Sequence, residues 1–232
     1  MSYRLRCALP TALLLAACAA TPPLAEVGST AHGAGWHAVP LPGKQATHYS
    51  WAHKDGRTAL AAVSEDSASM YRQPLPRAPG DFGDVSFSWW VQDLVAGGNV
   101  ADAAREDAPA RVMFAFDGDI TSLSMRTRAL FELAEALTGE KPPYATLMYV
   151  WDAQAPVGSV IVNPRSDRIR KIVVDSGPGE LRRWRLHRRN LVADFRLAFG
   201  EEPGALGSVA VMTDSDNTRS RAASWYGPVE LH

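Results

Sequence analysis

Val85-Ser86-Phe87-Ser88-Trp89-Trp90-Val91-Gln92 is the stretch that decides the fold class of this chain. Side chains of a β-strand alternate between two faces, so Val85, Phe87, Trp89 and Val91 share one side and Ser86, Ser88, Trp90 and Gln92 the other. Within Pro109–Asp117, Val112, Phe114 and Phe116 oppose Arg111, Met113, Ala115 and Asp117 in the same way. Each first set reads as core. The second sets read as the outer face of one sheet, with Trp90 and Arg111 standing on it among small and polar residues. An indole there can stack on a sugar or cover a neighbouring loop.

Working outward, most apolar runs are short and bounded by Gly, Pro, Asp or Asn, which is a strand signature. The remaining candidates are Trp36–Leu41, Thr47–His53, Thr58–Ser64, Ser67–Gln73, Ala145–Asp152, Arg168–Asp175, Leu181–His187, Leu206–Asp214 and Arg221–Leu231. Asp55-Gly56 marks a hairpin. Two segments have helical spacing. Thr121–Thr138 sets Leu123, Leu130, Leu133, Ala134 and Leu137 on a stripe before Gly139, and Asn190–Phe199 does so with Leu191, Phe195 and Phe199 between Asn190 and Gly200. Strands and helices do not alternate, so the expected class is mainly β: a jelly-roll-like β-sandwich with two inserted helices.

The N-terminus reads as an address. Arg4 and Arg6 precede an apolar run, Ala8–Ala17, too short to span a bilayer, and Leu15-Ala16-Ala17-Cys18 resembles the lipobox of bacterial lipoproteins. The expected organisation is a signal peptide over 1–17, a lipidated Cys18 with a tether over 18–35, and one domain over 36–232. That places the protein in the cell envelope, lipid-anchored at the periplasmic side of the outer membrane, since no Asp follows Cys18. Cys7 leaves with the signal and Cys18 takes the lipid, so no cysteine remains for a disulfide or a thiolate metal site. A whole-chain charge of −1 and export exclude nucleic acid as a partner. Charge is uneven, however: Arg165 to Arg189 holds nine Lys/Arg against three Asp/Glu. That run is either a solvated face or a site for an anionic envelope polymer.

Asp214-Ser215-Asp216-Asn217-Thr218 is the best candidate loop. Clustered oxygen ligands suit calcium at Asp214 and Asp216, although no EF-hand is completed. The competing reading is that Asp and Asn bond their own backbone and fix the turn. No G-x-S-x-G elbow, H-E-x-x-H or phosphate-binding loop is present. Carboxylate pairs such as Glu106/Asp107 and Asp117/Asp119 keep a glycosidase-type reading open.

Several strings together carry a resemblance. They are Arg189-Asn190-Leu191-Val192-Ala193-Asp194-Phe195-Arg196 and Phe199-Gly200-Glu201-Glu202-Pro203, then Gly207 to Thr218 and Trp225-Tyr226-Gly227. With Ser88-Trp89-Trp90, Asp107, Arg111-Val112 and Tyr149-Val150-Trp151, they resemble a family of bacterial exported proteins, the domain of unknown function DUF3047. The resemblance implies a β-sandwich like galactose-binding and carbohydrate-binding jelly rolls, and carries no established reaction. Met148 stands where that pattern has a polar residue, and Pro228 where it has an acidic one.

The sequence reading is therefore an envelope lipoprotein that binds a carbohydrate or similar ligand without chemistry, through Trp90, Arg111, Asp214, Asp216 and Asn217. The alternatives are a polysaccharide hydrolase or lyase, and a protein-binding scaffold.

Overall fold

Strand follows strand through most of the computed structural model, which describes residues 35–232. The signal segment, Cys18 and the tether to residue 34 lie outside the described residues. The first half holds β1 (His37–Pro40), β2 (His48–Lys54), β3 (Arg57–Glu65), β4 (Ser69–Arg77), β5 (Asp84–Val91), β6 (Arg111–Phe116) and α1 (Met125–Thr138). The second half holds β7 (Ala145–Asp152), β8 (Val160–Asn163), β9 (Ser166–Ser176), β10 (Trp184–Asn190), α2 (Leu191–Phe199), β11 (Leu206–Met212), β12 (Arg221–Tyr226) and β13 (Glu230–Leu231). No described helix is long and apolar enough to cross a membrane.

Two sheets form a jelly-roll-like sandwich. One runs β1-β4-β11-β6-β7-β9-β8 and the other β10-β5-β12-β3-β2, with β13 also paired to β5. All pairings are antiparallel except β7 with β9. The expected inward residues meet between the sheets: Val85, Phe87, Trp89 and Val91 from β5 face Val112, Phe114 and Phe116 from β6, with Leu147, Tyr149 and Trp151 from β7. Leu191 and Phe195 of α2 join this core. Local signals act as read. Asp55 and Gly56 both take positive φ in the β2–β3 turn, Asn190 accepts a hydrogen bond from Ala193 N at 2.9 Å, and Gly200 ends α2 at φ +73°.

Five features depart from the sequence reading. Trp90 lies on β5 and Arg111 on β6, so they belong to different sheets, on opposite outer faces of the sandwich. α1 starts at Met125, capped by Ser124, and the stripe Leu130, Leu133 and Leu137 is exposed rather than packed. The Arg221–Leu231 segment breaks into β12 and β13 around Gly227, where a Cβ would lie 2.2 Å from Ser88 Oγ. β8 was not anticipated; it is a four-residue edge strand paired only with β9.

The fifth is β10, which begins at Trp184 rather than Leu181 and runs to Asn190. Arg185 and His187 pair in register with Trp89 and Phe87, so they share the inward face, and Leu186 is 75 % exposed. Buried carboxylates draw the basic side chains in. Asp175 accepts from Arg185 Nε (3.1 Å), His187 Nε2 (2.9 Å) and Trp89 Nε1 (2.7 Å), while Arg189 grips Asp194 at 2.7 and 2.8 Å.

Candidate functional site

A cleft of about 980 Å³ crosses the outer face of the seven-stranded sheet, at the upper end of the range for small-ligand sites. Strand register builds its floor as rows running across β4, β11, β6 and β7. One row is Met70, Met212, Arg111 and Val150; the next is Arg72, Ala210, Met113 and Met148; the third is Pro74, Ser208, Ala115 and Thr146. The outer face of an antiparallel sheet is ordinarily polar. This one carries a second apolar cluster in which Met113, Met148, Val150, Ala210 and Met212 are buried. Pro142, Pro143 and Tyr144, which follow α1, border the other end.

The charged end is a closed network. Arg111, 2 % exposed, donates from Nε and Nη2 to the two oxygens of Asp214, each at 2.9 Å, and from Nη2 to Glu106 O at 2.5 Å. Fully buried Lys171 reaches up from β9 to Glu106 Oε1 (2.6 Å) and Val100 O (2.5 Å). Glu106 also accepts from Asn163 Nδ2 (2.6 Å) and Arg165 Nη1 (2.8 Å). Asp107 ties down the candidate loop by accepting from Thr218 N and Oγ1 (both 2.7 Å) and from Asn217 N (3.2 Å). Lys44 pairs with Asp216. Burial pushes Asp214 up to about 6 against the pull of Arg111, and burial together with the nearby Arg111 brings Lys171 down to about 8 against the pull of Glu106.

Four of the five expected binding residues, Arg111, Asp214, Asp216 and Asn217, therefore line one cleft. Trp90 does not. It is 6 % exposed, its Nε1 donates to Asp55 Oδ2 at 2.8 Å, Lys54 Nζ sits 3.6 Å from its ring centroid, and Trp225 meets it edge-on at 5.1 Å. The β2–β3 hairpin covers this indole, so no sugar can stack on it.

Asp107, Asp214 and Asp216 place carboxylate oxygens within 4.8 Å of one another, the grouping expected of a calcium site. Calcium takes six to eight oxygen ligands. Here Glu106, Asp107, Asp214 and Asp216 are matched by Arg111, Lys171, Arg165 and Lys44, and the named oxygens already accept from those cations or from the loop. The set suits a self-compensated polar network and does not fit a calcium ion.

Arg165 and Lys171 stand out in the sequence only as part of the basic run, Glu106 only as half of an acid pair, and nothing in the sequence singles out Asn163. The sequence signal for the floor was available: Met113 sits at solvent parity beside Arg111.

The fold has distant likenesses among solved structures. The family 11 carbohydrate-binding module of the cellulosomal cellulase Lic26A-Cel5E of Clostridium thermocellum is 10 % identical, with 89 % of this chain and 90 % of that chain covered and a TM-score of 0.43. Endoglucanase cel12A from Rhodothermus marinus is 12 % identical, with coverages of 86 % and 93 % and a TM-score of 0.46. A search of curated proteins gave no match. Residues 34–230 match the family described as protein of unknown function DUF3047, and the chain belongs to that family.

Proposed function

We propose that this protein is a non-catalytic envelope protein, held by a lipid on Cys18, that binds a carbohydrate ligand along the cleft of the seven-stranded sheet. The cleft itself carries the reading: a floor of methionine, alanine and other small side chains between Arg111 and Arg72 that suits the C–H groups of a sugar, and Asn163, Arg165, Lys44 and Asn217 at one end for hydroxyls. Pockets of this kind combine apolar walls with a few placed polar groups. A hydrolase would need two carboxylates free to act, about 5–10 Å apart. Glu106 and Asp214 are instead committed to Lys171, Arg165 and Arg111. A protein-binding scaffold is less favoured, because such a surface is an extended exposed apolar patch and this sheet face is a cleft.

A glycan array with wild type and Ser208→Trp tests the binding site, since Ser208 lies half-buried on the floor. The expected result is a bound glycan whose signal falls about tenfold in the variant, the cost of a blocked contact near 1.4 kcal/mol. A glycan indifferent to Ser208→Trp would move the site elsewhere, and no bound glycan would overturn the carbohydrate reading. For the anchor, Cys18→Ser should release the protein from membranes; unchanged detergent partitioning would sink that part.

A further inference from the structure

We infer that the ligand carries an acyl chain: the cleft takes an amphiphile whose chain lies over the methionine floor and whose polar head meets the Asn163–Arg165 end. This rests on the cleft being the binding site proposed above, and it names the class of ligand.

Three observations lead there. First, four of the chain's six methionines, Met70, Met113, Met148 and Met212, line this one cleft. Thioethers conform to irregular flexible chains and offer only weak hydrogen-bond acceptors. Second, no aromatic ring stands in any of the three floor rows. Tyr144, at the rim, already holds the Arg168 guanidinium 4.0 Å from its ring centroid and donates its hydroxyl to Glu201 at 3.2 Å. A free sugar would therefore find no stacking platform on the floor. Third, the two ends of the cleft differ: Ile120, Pro142, Pro143 and Tyr144 border one end, beside Asp117 and Lys141. Polar contacts gather at the opposite end, around Glu106, Asn163 and Arg165. A head-and-tail ligand matches the separation of this polar cluster from the methionine floor.

The test is titration calorimetry on the full-length protein with three probes below their micelle concentrations: dodecyl maltoside, maltose and dodecanoate. Octyl and decyl maltoside supply a chain-length series. Chain burial predicts that dodecyl maltoside binds at least about tenfold tighter than maltose, with affinity climbing along the series. Met113→Gln keeps the size of the side chain but makes it polar, and should remove most of that gain. Ser208→Trp should do so too. Affinity independent of chain length, with a glycan still bound, overturns the acyl chain and leaves the carbohydrate reading standing. Dodecanoate binding that is sensitive to Met113→Gln, with no sugar bound on the array, supports the chain while the carbohydrate reading falls. Chain-dependent binding unmoved by both variants puts the chain outside the cleft and overturns the inference. So does the failure of every acyl probe to bind.

Discussion

Asp175 is almost wholly enclosed, yet its carboxyl sits below the usual range: burial pushes it up, and hydrogen bonds from His187 and Trp89 outweigh that push. A carboxyl depressed in the fold contributes stability above its unfolded value of 3.8, and that contribution is lost as pH falls through the folded value. Asp175→Asn should therefore flatten the acid limb of a urea-midpoint profile below about pH 4. Asp175→Ala, which strands the buried Trp89 N–H and leaves Arg185 with Glu180 as its remaining partner, should cost roughly 1–3 kcal/mol in chemical denaturation at pH 7. Lys171 has the same sign of pH dependence at the other end of the scale. Its folded value near 8 lies below the ordinary 10.5, so the fold binds fewer protons than the unfolded chain between them, and stability rises with pH across that window. Urea midpoints for Lys171→Met should lose that rise. Trp90→Ala should cost about 3–5 kcal/mol of stability while leaving ligand affinity unchanged, because the indole is packed away from the cleft. A loss of affinity with the fold intact would contradict this placement.

Elements were legible where their faces had an unambiguous inside. β5, β6 and β7 carry large aromatics at alternate positions, and burial of those rings leaves one orientation open. β10 was not legible in that way. Its basic face turns inward because Asp175 and Asp194 need partners there, and a buried carboxylate without a cation costs more than an exposed leucine. Leu186→Lys should accordingly change stability by no more than about 0.5 kcal/mol, whereas replacing Arg185 with Leu should be clearly destabilising; denaturant midpoints decide it. α1 misled for a related reason: its periodicity is genuine, but Thr127 is the only α1 residue that becomes buried. β8 was too short, and its Val160 and Val162 too exposed, to be distinguished from a loop. Glycine constrains one more connection. A Cβ at Gly204 would lie 2.0 Å from Asp117 O, so Gly204→Ala should disturb the entry to β11.

At the scale of the whole molecule, charge that looks available in the chain is used within the fold. Of the nine cations between Arg165 and Arg189, all but Arg170 form ion pairs with the protein's own acids, among them Glu106, Glu201, Asp93, Asp84 and Asp194. Arg170 instead lies over the Phe199 ring at 5.6 Å. Added salt should therefore change the protein's affinity for anionic polymers very little, because no uncompensated strip is left to screen. The sequence by itself determined the mainly β class, the alternating core strands, the capped second helix and the family, because these depend on local periodicity and short-range hydrogen bonding. It also brought Arg111, Asp214, Asp216 and Asn217 forward as a group. Only the tertiary structure decided that Trp90 is covered, that Lys171 and Glu106 complete the polar end, and that four methionines from four strands form one floor. Those outcomes depend on which strands become neighbours and in what register, and residues far apart in the chain acquire a common surface only when the sheet closes.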